Sequence, residues 1–438
     1  MKRIFSLICI AAMLTTALIF SAAAADSDWI NPADKAPVTD YAYSFVAVGD
    51  TQYVCQKYPE KMADIYDWIV ANVESKKIKY VFGMGDVTNG SSKDEWELAK
   101  KEHAKLDGLV PYSVIRGNHD TSFDMNKFFV TDTYKAQFEG FFEEGKIENS
   151  WRTLTVGEVD YLLITIDYAA QSKTENAVLD WAGEVMAAHP HHRVIVTTHS
   201  YLYKDGNTIN KDSQYAPDGS GKMGGKMSNG DYMWDYLFRK HENLFMILSG
   251  HIACDDVLMT EAKGDHGNTV YQFLIDPQDL DNSIGATGMV AILYFSEDGK
   301  KVTVEQYSTV RKQFYRNESQ YSFEIPEFAP HSFTNYVSDG NTTCQTLGTE
   351  TAKCDGCDKI QTRAVVNLAE HSYANGACSV CGAADPAAVP EVENTPAVEE
   401  PIVEPDEGGV NLVVIIIPAA LVVIAVPVVL LIVKKKKK

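Results

Sequence analysis

The sequence predicts an α/β domain in which short strands and helices alternate in layers, held between an export signal and a C-terminal membrane span. Three observations predict it. Apolar runs of four to six residues recur between helix-like stretches, polar clusters follow those runs at their carboxyl ends, and composition changes sharply outside residues 41–326.

The elements follow in order. Lys2 and Arg3 precede an apolar stretch from Ile4 to Phe20 and the small residues Ser21–Ala25, the layout of a secretory signal occupying residues 1–25. Strand-like runs follow at Ser44–Val48, Tyr80–Met84, Tyr112–Ile115, Tyr161–Ile166, Val194–Thr198 and Phe245–Leu248. Helical patterns fall at Pro59–Glu74, Lys93–Leu106, Glu175–Ala188 and Asp231–His241. Asp94 and Glu95 suit the positive end of the second helix dipole. Further strands are expected at Val270–Ile275, Met289–Phe295 and Val302–Tyr307, joined by turns such as Glu297-Asp298-Gly299.

Beyond the large domain, His331–Gly382 holds five cysteines in a short Thr/Asn/Gly-rich stretch. Residues 383–409 are rich in Pro, Glu, Val and Ala, the composition of an extended acidic stalk. Val410–Val433 carries no charge and is long enough to span a hydrocarbon core of about 30 Å. Five lysines, Lys434–Lys438, follow and predict a cytoplasmic tail, which places the rest of the chain outside the cell membrane. Without Lys2, Arg3 and those five lysines, 32 of the 39 basic side chains face 60 acidic ones, a net of −28. Such a surface repels nucleic-acid backbones, so no nucleic-acid polymer is expected as a partner.

The polar residues at the ends of the runs carry the chemistry. Gly49-Asp50-Thr51-Gln52 ends the first run and Gly85-Asp86-Val87-Thr88-Asn89 the second. Gly117-Asn118-His119-Asp120 ends the third, Thr198-His199 the fifth and Ser249-Gly250-His251 the sixth. Five strand ends thus deliver carboxylate, amide or imidazole to one edge, the edge where layered α/β folds bind ligands. This is the donor set of a two-metal hydrolytic site, with Asp86 the natural bridging carboxylate.

These motifs, in this order, resemble the calcineurin-like metallophosphoesterases over most of Tyr41 to about Tyr307. The resemblance implies a layered β-sandwich core flanked by helices. It implies hydrolysis of a small phosphate monoester or diester by metal-activated water. One cation, Mn, Fe or Zn, would be held by Asp86, Asn118, His199 and His251. A second would be held by Asp50, Gln52 and Asp86. Gln52 and Ala253 stand where the family has histidines, so the second site offers oxygen alone and suits Mn, Mg or Ca. The same departures motivate an alternative, a catalytically weakened surface binding protein or adhesin on this fold. Asp255, Asp256, Asp276 and Gln278 are candidates for the missing ligand. The resemblance assigns His119 to protonating the leaving group, and Asp120 is expected to orient it. Arg116 is read either as a phosphate contact or as half of an ion pair.

In the Cys-rich stretch, Cys354-x-x-Cys357 and Cys378-x-x-Cys381 have the spacing of a zinc-ribbon-like site in which four cysteines hold a structural zinc. His331-Ser332-Phe333 and His371-Ser372-Tyr373 begin two half-repeats, which leaves mixed Cys/His ligation open, and disulfides are the competing reading. Cys344 fits neither scheme. Cys55 and Cys254 are read as a disulfide at the site mouth or as two buried thiols. His103, His189, His191, His192, His241 and His266 fit no motif and are expected at surfaces or loops. The segment Tyr203–Asn229 is a candidate lid.

Overall fold

In the computed structural model, the described residues are 28–388, except 121–124, 131–133, 135, 169–175, 218–228, 281–286, 327–330 and 356–358. The expected signal, the span at 410–433 and the lysine tail lie outside them. No helix among the described residues is long and apolar enough to cross a membrane. The chain divides into two compact units, Met1–Ala369 and Glu370–Lys438.

In chain order the first unit contains β1 (Trp29–Ile30), β2 (Tyr43–Val48), α1 (Gln52–Lys57), α2 (Pro59–Asn72), β3 (Ile78–Gly83) and α3 (Lys93–His103). There follow β4 (Gly140–Phe141), β5 (Ser150–Val156), β6 (Val159–Ile166), α4 (Ala177–Ala188), β7 (Arg193–Thr198), α5 (Gly230–Tyr236) and β8 (Leu244–Ser249). The large domain closes with β9 (Leu258–Lys263), β10 (Thr269–Leu274), β11 (Met289–Phe295), β12 (Lys301–Ser308), β13 (Gln313–Tyr315) and β14 (Tyr321–Glu324).

These strands build two seven-stranded sheets. One runs β1-β13-β12-β11-β2-β3 with β14 also on β12, and the other runs β4-β5-β6-β7-β8-β10-β9. Their facing sides form one core, in which Phe45, Phe82 and Leu293 of the first sheet meet Tyr161, Ile195, Leu248 and Phe273 of the second. Phe45 and Tyr161 pack edge to face across the gap at 5.3 Å between ring centroids. Met62, Ile65 and Ile69 of α2 and Trp96 of α3 cover the outer face of the first sheet. Leu179, Ala182 and Met186 of α4 cover the second. Strands β2, β7 and β8 are buried along their whole length because each is covered on both faces, which is why they read as unbroken apolar runs. The layered sandwich flanked by helices is therefore the architecture observed.

The run Tyr112–Ile115 is not a strand. It touches β3 through Val81 N–H to the Pro111 carbonyl and Ser113 N–H to the Val81 carbonyl, both 3.0 Å, and forms one isolated bridge. The Tyr112 N–H is taken by the Gln137 side chain at 3.2 Å, so no further strand can pair there. In the opposite direction, β5 went unread in sequence. Its residues Trp151–Leu154 are only partly buried and Thr155 is exposed, so neither face reads as an apolar run, and it pairs with β6 across the Gly157-Glu158 turn. His103, expected at the surface, is 5% exposed in the core, bonded to the Tyr66 hydroxyl at 2.7 Å and the Ala99 carbonyl at 2.8 Å.

The first unit also includes a small sheet of β15 (Val337–Ser338), β16 (Thr349–Lys353) and β17 (Ile360–Ala364). The second unit contains β18 (Tyr373–Ala374) paired with β19 (Ala377–Cys378). Cys354 thus belongs to the first unit and Cys378 and Cys381 to the second, while Cys357 lies outside the described residues. Neither unit by itself holds the four cysteines of the expected zinc ribbon.

Candidate metal centre

The parallel arrangement of β2 with β3, and of β6, β7, β8 and β10 with one another, brings their carboxyl ends to one edge. Asp50, Asp86, His199, His251 and Asp276 follow β2, β3, β7, β8 and β10 respectively. Asp50, Asp86 and His199 gather with ligand atoms within 4.8 Å of one another.

The two imidazoles are set by what their outer nitrogens touch. His199 Nδ1 lies 2.8 Å from the Met84 carbonyl and His251 Nε2 lies 2.8 Å from the Tyr215 carbonyl. A carbonyl only accepts, so both outer nitrogens carry the proton and both inner nitrogens are left with lone pairs in the neutral rings. Those inner nitrogens face other acceptors. His199 Nε2 is 3.0 Å from Asn118 Oδ1 and 3.4 Å from Asp86 Oδ1, and His251 Nδ1 is 2.7 Å from Asn118 Oδ1. Four electron-rich atoms converging at such distances repel one another unless a cation sits among them, so the donors fit a divalent metal. Burial opposes protonation of His199, but the Asp86 carboxylate outweighs it and raises the ring's proton affinity, with a proton acting as substitute for the cation. Burial and the neighbouring His199 push His251 down to about 4.

The oxygen-only half of the centre fits as well. Asp50, Asp86 and Asp276 are 7%, 2% and 0% exposed, and burial together with the other two carboxylates holds the Asp50 proton affinity well above the usual carboxylate range. Asp50 Oδ2 accepts from His251 N–H at 3.1 Å, while buried Asp50 Oδ1 has no hydrogen-bond partner. Gln52 donates through Nε2 to Gln278 Oε1, Gln278 donates to Asp276 Oδ2 at 2.8 Å, and Gln52 Oε1 also lacks a partner. Two orphaned buried oxygens beside clustered carboxylates are what a hard cation would satisfy. Of the candidate extra ligands, Asp276 lies buried beside Asp50 and Asp86, and Gln278 bridges Gln52 to Asp276 with both ends of its amide. Asp256 is instead tied to Arg316 and Ser319, and the Asp255 carbonyl accepts from Gln306.

Glycines permit this convergence. A Cβ on Gly117 would lie 2.2 Å from Asp86 Oδ1, and one on Gly250 would lie 2.1 Å from Asp50 Oδ1. Asp86 itself adopts φ +45° and His251 φ +71°, strained backbone that the surrounding bonds hold in place.

His119 is oriented differently from the expectation. Its Nδ1–H donates to the Asn89 carbonyl at 3.0 Å, and its backbone N–H donates to Asp86 Oδ1 at 2.8 Å. Asp120 does not orient it. The Asp120 carboxylate accepts from the N–H groups of Val87, Thr88 and Gly117 at 2.8–3.0 Å and from the Thr88 hydroxyl at 2.6 Å, stapling two ligand-bearing loops together. A buried carboxylate takes the nearest stationary donors, and here these are backbone amides. The Asn89 loop is held in turn by Glu95, which accepts from the N–H groups of Asn89, Gly90 and Ser92. The Ser92 hydroxyl oxygen in turn accepts from the Glu95 N–H, completing a capping box on α3.

The centre opens into a cavity of about 470 Å³, lined by Asp86, Asn118, His119 and His251 and walled by Tyr203, Lys204 and Tyr215. The described part of the expected lid, residues 203–217, therefore does border the site. Ala253 lines the cavity without offering a donor. Arg116 does not face it. Its guanidinium pairs with Asp167 through two bonds, of 3.1 and 2.5 Å. Cys55 and Cys254 are free thiols, and Cys55 donates to the Glu95 carbonyl at 3.4 Å. Sequence reasoning missed Tyr168, whose ring lies 5.6 Å from that of His199 and 6.1 Å from that of His251.

Residues 43–255 match the family model described as calcineurin-like phosphoesterase. An uncharacterised protein of Bacillus subtilis (strain 168), YvnB, is 25% identical over 313 residues, which cover 67% of this chain and only 22% of that protein. Among solved structures, a dimetal phosphatase from Danio rerio is 13% identical with a TM-score of 0.39, covering 66% of this chain and 100% of that one. A purple acid phosphatase from yellow lupin (Lupinus luteus) seeds is 14% identical with a TM-score of 0.38, covering 65% and 53%. With motif order, donor geometry and matched span in agreement, residues 43–255 of this chain form a calcineurin-like phosphoesterase domain.

Proposed function

We propose that this chain hydrolyses a small phosphate ester outside the cytoplasm, by direct attack of water and with no covalent intermediate on the protein. The observation that carries this reading is the convergence of Asp86, Asn118, His199 and His251, with both outer imidazole nitrogens fixed by backbone carbonyls. Divalent cations bound at the two subsites supply Lewis acidity toward a phosphoryl oxygen and make water a nucleophile at neutral pH. We assign Mn, Fe or Zn to the imidazole-bearing subsite and Mn, Mg or Ca to the one formed by Asp50, Gln52 and Asp86.

The protein's own residues do the rest. His119, fixed through Nδ1, lines the cavity, and its doubly protonated ring can pass the Nε2 proton to the departing oxygen, leaving the neutral Nδ1–H form. Lys204 places a cation on the wall where a phosphate would enter. The acidic surface supports a small ester over a polymer, and the apolar segment 410–433 with its lysine tail supports anchoring at the cell membrane with the domain outside.

The test is metal content together with hydrolysis of a generic aryl phosphate and diester. His119→Ala should lower kcat by roughly 10²–10⁴-fold with metal content unchanged. Full metal loading without turnover under any divalent cation would instead favour the weakened binding protein, the reading that Gln52 and Ala253 motivate.

A further inference from the structure

We propose that His191, His331 and Cys354 form a second metal site, taking a borderline-soft divalent ion such as zinc, that fastens the first Cys-rich half-repeat to the phosphoesterase domain. Their ligand atoms lie within 4.8 Å of one another. Bond lengths of about 2.0–2.1 Å to nitrogen and 2.3 Å to sulfur imply tetrahedral edges of roughly 3.4–3.6 Å, so the side chains need close by only about an ångström.

The site lies away from the phosphoesterase centre. His191 sits in the loop that enters β7 and His199 follows the strand's other end, six strand residues later. At about 3.3 Å per residue, that separates the two sites by roughly 20 Å.

Its surroundings are organised as metal sites are. His331 Nε2 is 2.8 Å from Asp160 Oδ2, which directs a metal to Nδ1. Asp160 also accepts from the Thr155 hydroxyl at Oδ1, at 2.7 Å, and from Lys359 at the same Oδ2. A carboxylate behind an imidazole fixes both the tautomer and the ring plane of a metal-binding histidine. The rings of His191 and His331 lie 5.3 Å apart. Cys354 is 4% exposed and sits where the β16–β17 hairpin turns, its N–H donating to the Lys359 carbonyl at 2.8 Å. Asp355 N–H donates to the Ser332 carbonyl at 2.9 Å, and Thr334 donates to the Asp355 carboxylate at 2.8 Å. The segments bearing His331 and Cys354 are thereby joined independently of any ion.

The second unit repeats the pairing. His371 Nδ1 is 3.3 Å from Cys381 Sγ, so each half-repeat sets its leading histidine beside its own cysteine. The assignment needs nothing from Cys357. Two imidazoles and one thiolate suit zinc over Mg or Ca, and ion uptake releases the Cys354 thiol proton.

The test uses the full chain carrying Cys378→Ser and Cys381→Ser, so that thiols of the second unit do not contribute, loaded with Co²⁺ and separately assayed for zinc. The expected result is a near-ultraviolet thiolate-to-cobalt charge-transfer band, with about one zinc equivalent beyond the phosphoesterase metals. Both disappear in His191→Ala and in Cys354→Ser, while phosphoesterase activity and circular dichroism persist. His191→Cys should restore the ion and strengthen the band, which separates loss of a ligand from loss of fold. A band and zinc content unchanged in His191→Ala would overturn the proposal, as would Cys354 recovered in a disulfide from the unreduced protein.

Discussion

Replacing Gly250 by alanine tests the centre through a single methyl group. The added Cβ would meet Asp50 Oδ1 at 2.1 Å and Met84 Cβ at 3.1 Å, where ordinary contact begins at 3.4 Å. Asp50 cannot swing clear, because its other oxygen is held by His251 N–H and its side chain is buried beside Asp86 and Asp276. The carboxylate must retreat by about 1 Å, and a misplacement of that size costs roughly 100-fold in turnover. That is about 2.7 kcal/mol in the barrier. The assay is kcat/KM alongside metal content, with Gly145→Ala as control. Gly145 has φ +83° and nothing within 4 Å, so its substitution strains the backbone by about 1 kcal/mol without touching a ligand. Gly250→Ala with wild-type turnover and full metal content would refute the placement of Asp50 as a ligand.

Two further outcomes follow from the bonds around the site. Glu95→Gln should destabilise the fold by about 1–2 kcal/mol, by removing the charge from three backbone hydrogen bonds, and should lower kcat by loosening the Asn89 carbonyl that orients His119. Burial opposes ionisation of Glu95, but the N–H groups of Ser92, Gly90 and Asn89 outweigh it and hold the carboxyl below its ordinary range. Its stabilisation is therefore present above the unfolded value and lost as pH falls through the folded one, so the gap between wild type and variant in thermal melts should close below about pH 4. Stripping cations should lower Tm, because three buried carboxylates then face one another. Restoring Mn²⁺ at a hundredfold excess over its Kd should return about 2.7 kcal/mol, and a Tm indifferent to metal would argue against loading.

Strands buried on both faces announce themselves as apolar runs, and residues that must bind together have to sit at their ends. That is why Asp50, Asp86, His199 and His251 are legible in the sequence, whereas Asn118 and His119 follow an apolar run that makes only an isolated bridge to β3. What escaped was decided by partners distant in sequence. Asp120 looks like an orienting acid because it adjoins His119, yet apart from the Gly117 N–H its carboxylate goes to Val87 and Thr88, about thirty positions away, a choice no local pattern encodes. His191 carries no motif and gains meaning only where β7 begins beside a segment 140 positions further along the chain. The paired motif Cys354 to Cys381 crosses the boundary between compact units at Ala369, which spacing along the chain does not record.

The departure at Gln52 admits a direct trial. An amide can face a cation with its oxygen or turn away with its nitrogen, and its own geometry does not decide between them. Here the decision is made by Gln278, whose Oε1 takes the Gln52 Nε2–H, while its own amide nitrogen is spent on Asp276 Oδ2. That relay leaves Gln52 Oε1 as the atom without a partner, buried as is the Asp50 oxygen that also has none. If those two oxygens share a cation, Gln278→Ala frees the Gln52 amide to rotate and removes an orienting bond without removing any ligand. Loss of such an outer contact weakens metal binding by roughly 10–100-fold. In a calorimetric titration of Mn²⁺ into metal-free protein, one binding step should weaken by that factor while the step governed by Asn118, His199 and His251 holds. Two unchanged steps would mean that Gln52 serves only the fold, and that the subsite beside Asp50 relies on carboxylates alone.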